Sequence, residues 1–128
     1  MKALSKPIFT LYAPAARASE TILFQQLKSI AEQDIISKLL GAVHDMVAIL
    51  NQERQIVYAN QHLLDWLELE NTEQVCSLRF GEAMQCVHVR EMEGGCGTST
   101  NCRSCGALRA ILNSQKGESD MAKLCRCK

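Results

Sequence analysis

Four cysteines lie within twenty residues of one another, at Cys86, Cys96, Cys102 and Cys105, in a stretch that also holds Gly94, Gly95, Gly97 and Gly106. Such a window limits what the chain can fold into. It has little apolar content of its own, so something other than a hydrophobic core must order it. Cys102 and Cys105 stand in a Cys-x-x-Cys pair, which can place two sulfurs on one ion, or on each other, across a single turn. Gly94, Gly95 and Gly97 free the backbone to bring Cys96 back toward that pair, because glycine enters the left-handed region without steric cost. Cys86 and His88 lie just upstream, within reach of a fourth ligand position.

The remaining composition narrows the chemistry. The chain has 128 residues, 47 % of them hydrophobic and 22 % charged, an ordinary balance for one globular domain. Its formal net charge is zero, and a nucleic-acid binder would carry a basic excess, so no nucleic-acid partner is expected. No apolar run approaches the roughly 20 residues that cross a bilayer. The first residues make a poor signal peptide, since Pro7 and Thr10 interrupt a short apolar stretch. These features point to a cytoplasmic protein, where thiols stay reduced. An odd count of seven cysteines then fits metal or redox use better than a disulfide framework.

Along the chain, residues 1–18 carry both prolines and read as an irregular lead-in. Ser19 is placed to cap a helix over 19–42, whose apolar stripe includes Leu23, Leu27, Ile30, Ile35 and Leu39. Such a stripe either packs on the domain's own core or forms a dimer contact. Met46–Leu50 and Ile56–Ala59 are two β-type runs joined by five polar residues, the pattern of an antiparallel hairpin that lacks an Asn-Gly turn. Asn60 is placed to cap a short helix through Leu67, and a further short helix is expected to start at Thr72–Val75. A last helix is expected from Ala107 to near Lys116, and a strand from Met121 onward. Trp66 and Cys76 are expected in the core, and His44 and His62 receive no role.

The segment Leu39 to Asn51, followed by Ile56-Val57-Tyr58-Ala59-Asn60, resembles the opening of a PAS domain. The later Gly81-Glu82-Ala83, Cys86, Gly94-Gly95-Cys96-Gly97-Thr98 and Cys102-Arg103-Ser104-Cys105-Gly106-Ala107 are similar to a cysteine-rich PAS subgroup of bacterial signalling proteins, often found beside histidine kinases. The resemblance implies an α+β fold, with a PAS-like antiparallel sheet flanked by short helices. The long N-terminal helix precedes it, and the PAS-like part occupies 43–128 with a cysteine-rich loop at 86–106. Such sheets have five strands, the last of which lies beside the first. The chain stops at Lys128 before the last two, which leaves Met46–Leu50 without that neighbour. An unpaired apolar strand invites pairing with another chain.

Three readings of the cysteines follow. In the first, Cys86, Cys96, Cys102 and Cys105 bind one centre, either zinc or an iron–sulfur cluster, with His88 as an alternative ligand. Cys102 and Cys105 form a reversible disulfide in the second. In the third, all four are small buried apolar residues. Nothing in the chain resembles a haem or flavin attachment sequence, and no catalytic set of nucleophile, base and orienter is discernible. The expected function is therefore a non-enzymatic sensory domain with a four-cysteine metal or redox centre. Its partners would be a second copy, met through the N-terminal helix, or a signalling protein. The alternative is an interaction module whose loop is stapled by zinc. Cys125 and Cys127, on one face of the expected last strand, stand outside the set of four.

Overall fold

A computed structural model of the chain describes residues 8–118. Its centre of organisation is Asn60, whose side chain is fully buried and fully used. The Asn60 Oδ1 accepts from the backbone N–H of Leu63 at 3.1 Å and of Val47 at 3.0 Å, and its Nδ2 donates to the carbonyls of Asp45 at 2.8 Å and Leu40 at 3.1 Å. One side chain thus caps a helix, fixes the start of a hairpin and holds the end of the preceding helix.

The elements run α1 (Glu20–Ala31), α2 (Asp34–Ala42), β1 (Ala48–Leu50), β2 (Ile56–Ala59), α3 (Gln61–Trp66), α4 (Phe80–Ala83) and α5 (Gly106–Gln115). Short 3-10 turns occupy Thr72–Gln74, Val89–Glu91 and Thr100–Ser104. The fold is α+β, with one two-stranded antiparallel sheet among the described residues. Ala48 pairs with Ala59, Ile49 with Tyr58 and Leu50 with Ile56, with an irregularity between Ile49 and Leu50. On the far side of β2, Ile56 exchanges backbone hydrogen bonds with Leu78 and Ser77. Within the described residues β1 has β2 as its sheet neighbour and leaves its other edge open.

The main core consists of Ile56, Ala59, Leu63, Leu64 and Val75, flanked by Ala48, Leu50, Leu67, Leu69, Leu78 and Ala83. Two strand residues face two residues on the first turn and a half of α3, so the hairpin and its following helix bury each other. A second, smaller cluster joins Ala13 of the lead-in to Cys102 and Leu108.

The hairpin, the Asn60 cap, the turn at 72–74 and α5 match the elements expected from sequence. The single helix expected over 19–42 is instead two. Gln33 leaves the helical region with φ −93° and ψ 84°, and Asp34 opens α2. The bend has a geometric reason. α2 must return its Leu40 carbonyl to Asn60, and a straight helix running on from Ala31 would carry that carbonyl away. Ser19 does cap α1, accepting from the N–H of Ile22 at 3.3 Å. Trp66 is also corrected, since it is 58 % exposed. Leu63 and Leu64 take the inward face of α3 and leave the indole outside. Cys76 is half-buried, just past the 3-10 turn, and not a full core residue. The strand expected from Met121, with Cys125 and Cys127, lies outside the described residues.

Candidate metal centre

The lead-in is part of the site. Residues 8–18 form no helix or strand, yet Leu11 donates its N–H to the Thr98 carbonyl at 2.9 Å and Ala13 donates to Gly97 at 2.9 Å. The Ala13 and Ala15 side chains are buried. The segment is therefore a strap laid along the cysteine loop. Gly95 and Gly97 both take the left-handed conformation, with φ of 81° and 91°, as their place in the sequence leads one to expect.

Each cysteine arrives on its own element. Cys86 follows α4, donating its N–H to the Gly81 carbonyl at 2.7 Å. Cys96 sits between the two left-handed glycines, and its Sγ accepts from the Gly81 N–H at 3.3 Å. A side chain on Gly81 would lie 2.8 Å from that sulfur and 3.3 Å from the Cβ of Cys86, so only glycine lets the two approach α4 together. Cys102 is buried in the 3-10 turn, and Ser99 caps that turn by accepting from Asn101. Cys105 is the N-cap of α5, where its Sγ accepts from the Leu108 N–H at 3.4 Å.

All four sulfur-bearing residues, with His88, line one cavity of about 350 Å³. Phe80, Val89, Leu108 and Ile111 supply apolar walls, and Arg54 and Arg79 supply two cationic ones. The structure thus brings together every candidate ligand taken from the sequence. No three Cys, His, Asp or Glu side chains among the described residues are gathered closely enough to hold a single metal ion as they stand. The four cysteines line a shared space and do not converge on a single ion site.

The cavity is electropositive. Arg79 is fully buried and spends its guanidinium on four carbonyls. Nε donates to Glu53 at 2.9 Å, Nη1 to Gly94 at 3.2 Å, and Nη2 to Ala15 at 3.3 Å and Ala16 at 2.7 Å. Hairpin turn, loop and strap are joined by this one side chain. Burial, with Arg54 and Arg17 nearby, brings its pKa down to about 10, still charged at neutral pH. Arg17 pairs with Glu82 and also donates to the Gly94 carbonyl at 2.9 Å. Burial alone would raise the Glu82 carboxyl, but Arg17 and the N–H groups of Arg79 and Cys96 hold it below the usual range. Three guanidiniums, of Arg17, Arg54 and Arg79, therefore meet the carboxylates of Glu82 and of Glu91, which is bonded to Ser99 and Asn101, and one positive charge remains in excess around the cavity.

That excess suits a negative occupant. Four thiolates around a zinc ion, or around an oxidised four-iron cluster, leave a net dianion. The donor types and the charge are compatible with a thiolate-bound metal centre. Without one, burial pushes the Cys96 thiol up to about 11, helped by Cys102 and Glu82 and opposed by the Gly81 N–H and Arg54. A thiol in that state is protonated at neutral pH, the reverse of an activated nucleophile. A coordinated metal removes such a proton outright.

His88 is tied locally. Its Nδ1 lies 2.9 Å from Glu91 Oε2, and the same carboxylate accepts from Ser99 Oγ and from Asn101 Nδ2 at 3.0 Å. Those three bonds, led by Ser99, lower the Glu91 pKa to about 2. Sequence reasoning missed the arginines, Glu82's pairing and the strap. The one trace of Arg54 was a hairpin turn without the expected glycine or asparagine at its left-handed position. No protein-family model matches the chain, and no curated protein or solved structure was found to be similar to it.

Proposed function

We propose that the chain is a sensory, PAS-like signal-transduction module in which Cys86, Cys96, Cys102 and Cys105 hold a metal centre. The observation that supports this reading is the shared cavity: four cysteines from four separate places meet around one space walled by buried guanidiniums. A volume of about 350 Å³ exceeds what a single ion fills, given that one water's share of liquid is about 30 Å³. It leaves room for an iron–sulfur cluster as well as for one zinc. Bound there, such a cluster supplies sensitivity to oxygen or redox state.

The chain's own residues supply the transmission. Loop positions Gly97 and Thr98 are bonded to the strap, and Arg17 links the loop to Glu82 only three residues before α1 begins. A change in the order of the loop therefore reaches the start of α1 directly. Phe24, Ile35 and Leu39 are exposed on α1 and α2 and offer the face for a second copy or a signalling partner. We read the module as non-catalytic and as working in the reducing cytoplasm. Among the described residues no helix is long and apolar enough to cross a membrane.

Metal analysis of protein purified without oxygen tests the proposal. Iron with acid-labile sulfide and a brown spectrum is the expected result. Colourless protein with one zinc per chain would favour the zinc-stapled interaction module. Neither metal, with seven thiols that resist mild oxidation, removes the centre altogether.

A further inference from the structure

Arg54 and Arg79 line the same cavity and are equally buried, but they use their donors differently. Arg79 commits Nε, Nη1 and Nη2 to backbone carbonyls. Arg54 is 3 % exposed, and its Nη2 donates to the Pro14 carbonyl at 2.8 Å and the Cys96 carbonyl at 3.3 Å. Its Nε is the one buried side-chain nitrogen or oxygen without a hydrogen-bond partner among the described residues. An unpaired donor on a buried cation is costly, and such a group calls for an acceptor.

The backbone says the same. Arg54 has φ 68° in the hairpin turn, where its N–H donates to the Asn51 carbonyl at 3.0 Å. Glycine or asparagine suits that conformation, and a long side chain there is strained. Room for the guanidinium comes from the opposite side. A Cβ on Gly97 would stand 2.9 Å from Arg54 Nη2 and 3.4 Å from Nε, so the glycine of the Cys96-Gly97 pair is the surface on which the guanidinium rests. A strained turn and a bare glycine together hold an unpaired N–H on a residue that lines the same cavity as the four cysteines.

We propose that Arg54 is a positioning residue of the cysteine cavity, whose Nε–H donates to an anionic sulfur, thiolate or sulfide, of the bound centre. The assignment rests on the metal-centre reading given above and adds a residue outside the ligand set. Hydrogen bonds to sulfur and local charge are the levers by which a protein sets the potential of such a centre. A buried cation stabilises the reduced, more negative state. Arg54 therefore raises the reduction potential and slows loss of the centre.

The test uses the full chain reconstituted without oxygen with ferrous iron and sulfide, as wild type, Arg54→Gly and Arg54→Lys. Arg54→Gly relieves the turn, so the metal-free variant should fold, as circular dichroism will show. The expected result is loss of the centre to an iron chelator roughly 10- to 100-fold faster than wild type, the usual effect of removing an outer-shell partner, with a lower midpoint potential. Arg54→Lys keeps the charge but loses the planar Nε donor. It should recover much of the potential and little of the chelator resistance. Should wild type take zinc instead, the same variants are compared by zinc affinity against a chromophoric chelator, with the same fold-loss expected. Variants that match wild type in chelator resistance and potential, or in zinc affinity, overturn the role of Arg54 while leaving the centre standing. A wild-type chain that holds neither metal overturns both.

Discussion

The hairpin–α3 half and the cysteine half of this chain are held together by different forces. In the first, Ile56, Ala59, Leu63, Leu64 and Val75 exclude water from one another, and Asn60 satisfies the backbone at their edge. The buried apolar members of the second are few, among them Ala13, Ala15, Cys102 and Leu108. Its order comes from guanidinium-to-carbonyl bonds and backbone pairing between strap and loop. An apolar core is complete when it is packed. A group of buried cations and thiols keeps charge that packing alone does not match, so the two halves answer to different chemistry.

The sharpest break in that contrast should come from Arg79→Met. Removing the guanidinium leaves three carbonyls, of Glu53, Ala15 and Ala16, without their donor, and leaves Gly94 with Arg17 alone. A loss of about 3–5 kcal/mol is expected, as for breaking a buried charged network. Urea unfolding measures it. A cost under about 1 kcal/mol would mean that the cysteine half is ordered by something else. Leu64→Ala should cost about 2–4 kcal/mol by leaving a cavity in the apolar half. Metal uptake per folded chain should not change, and a parallel drop in uptake would show that the two halves are not separate.

A smaller effect should appear on acidification. The Glu91 carboxyl is depressed to about 2 in the folded chain, first by Ser99 and then by Asn101 and His88. A depressed carboxyl contributes stability above its unfolded pKa, near 4.5, and loses it as pH falls toward the folded value. Between those limits the wild type should lose stability that Glu91→Gln never had, as seen in midpoints of acid unfolding. Curves that run parallel across that range would remove Glu91 as the tie between His88 and the loop.

How far the sequence could be read follows the same division. β-branched runs, an asparagine before a helix and a late amphipathic stripe are local signals, and they located β1, β2, α3 and α5 correctly. The break at Gln33 was hidden because it answers to Asn60, far along the chain, and not to its own neighbours. Trp66 was misplaced because helix phase, not residue type, decides which side of α3 faces inward. For the site, the four cysteines and the glycines were visible as a cluster. Arg54 and Arg79 were not, since a buried arginine and a solvated one look identical in sequence. Their partners are backbone carbonyls, which leave no mark on residue identity.

The strap carries one more consequence, which concerns the order of events during folding. Arg17 meets Gly94 across 77 residues, Arg79 meets Ala15 across 64 and Arg103 meets the Leu11 carbonyl across 92. Contacts of such long sequence separation form slowly, because chain entropy must be surrendered before they are reached. The hairpin and α3 are tied by shorter separations, such as the 20 residues between Asn60 and the Leu40 carbonyl. During folding the loop thiols therefore stay open to the surroundings until the N-terminal segment is laid across them.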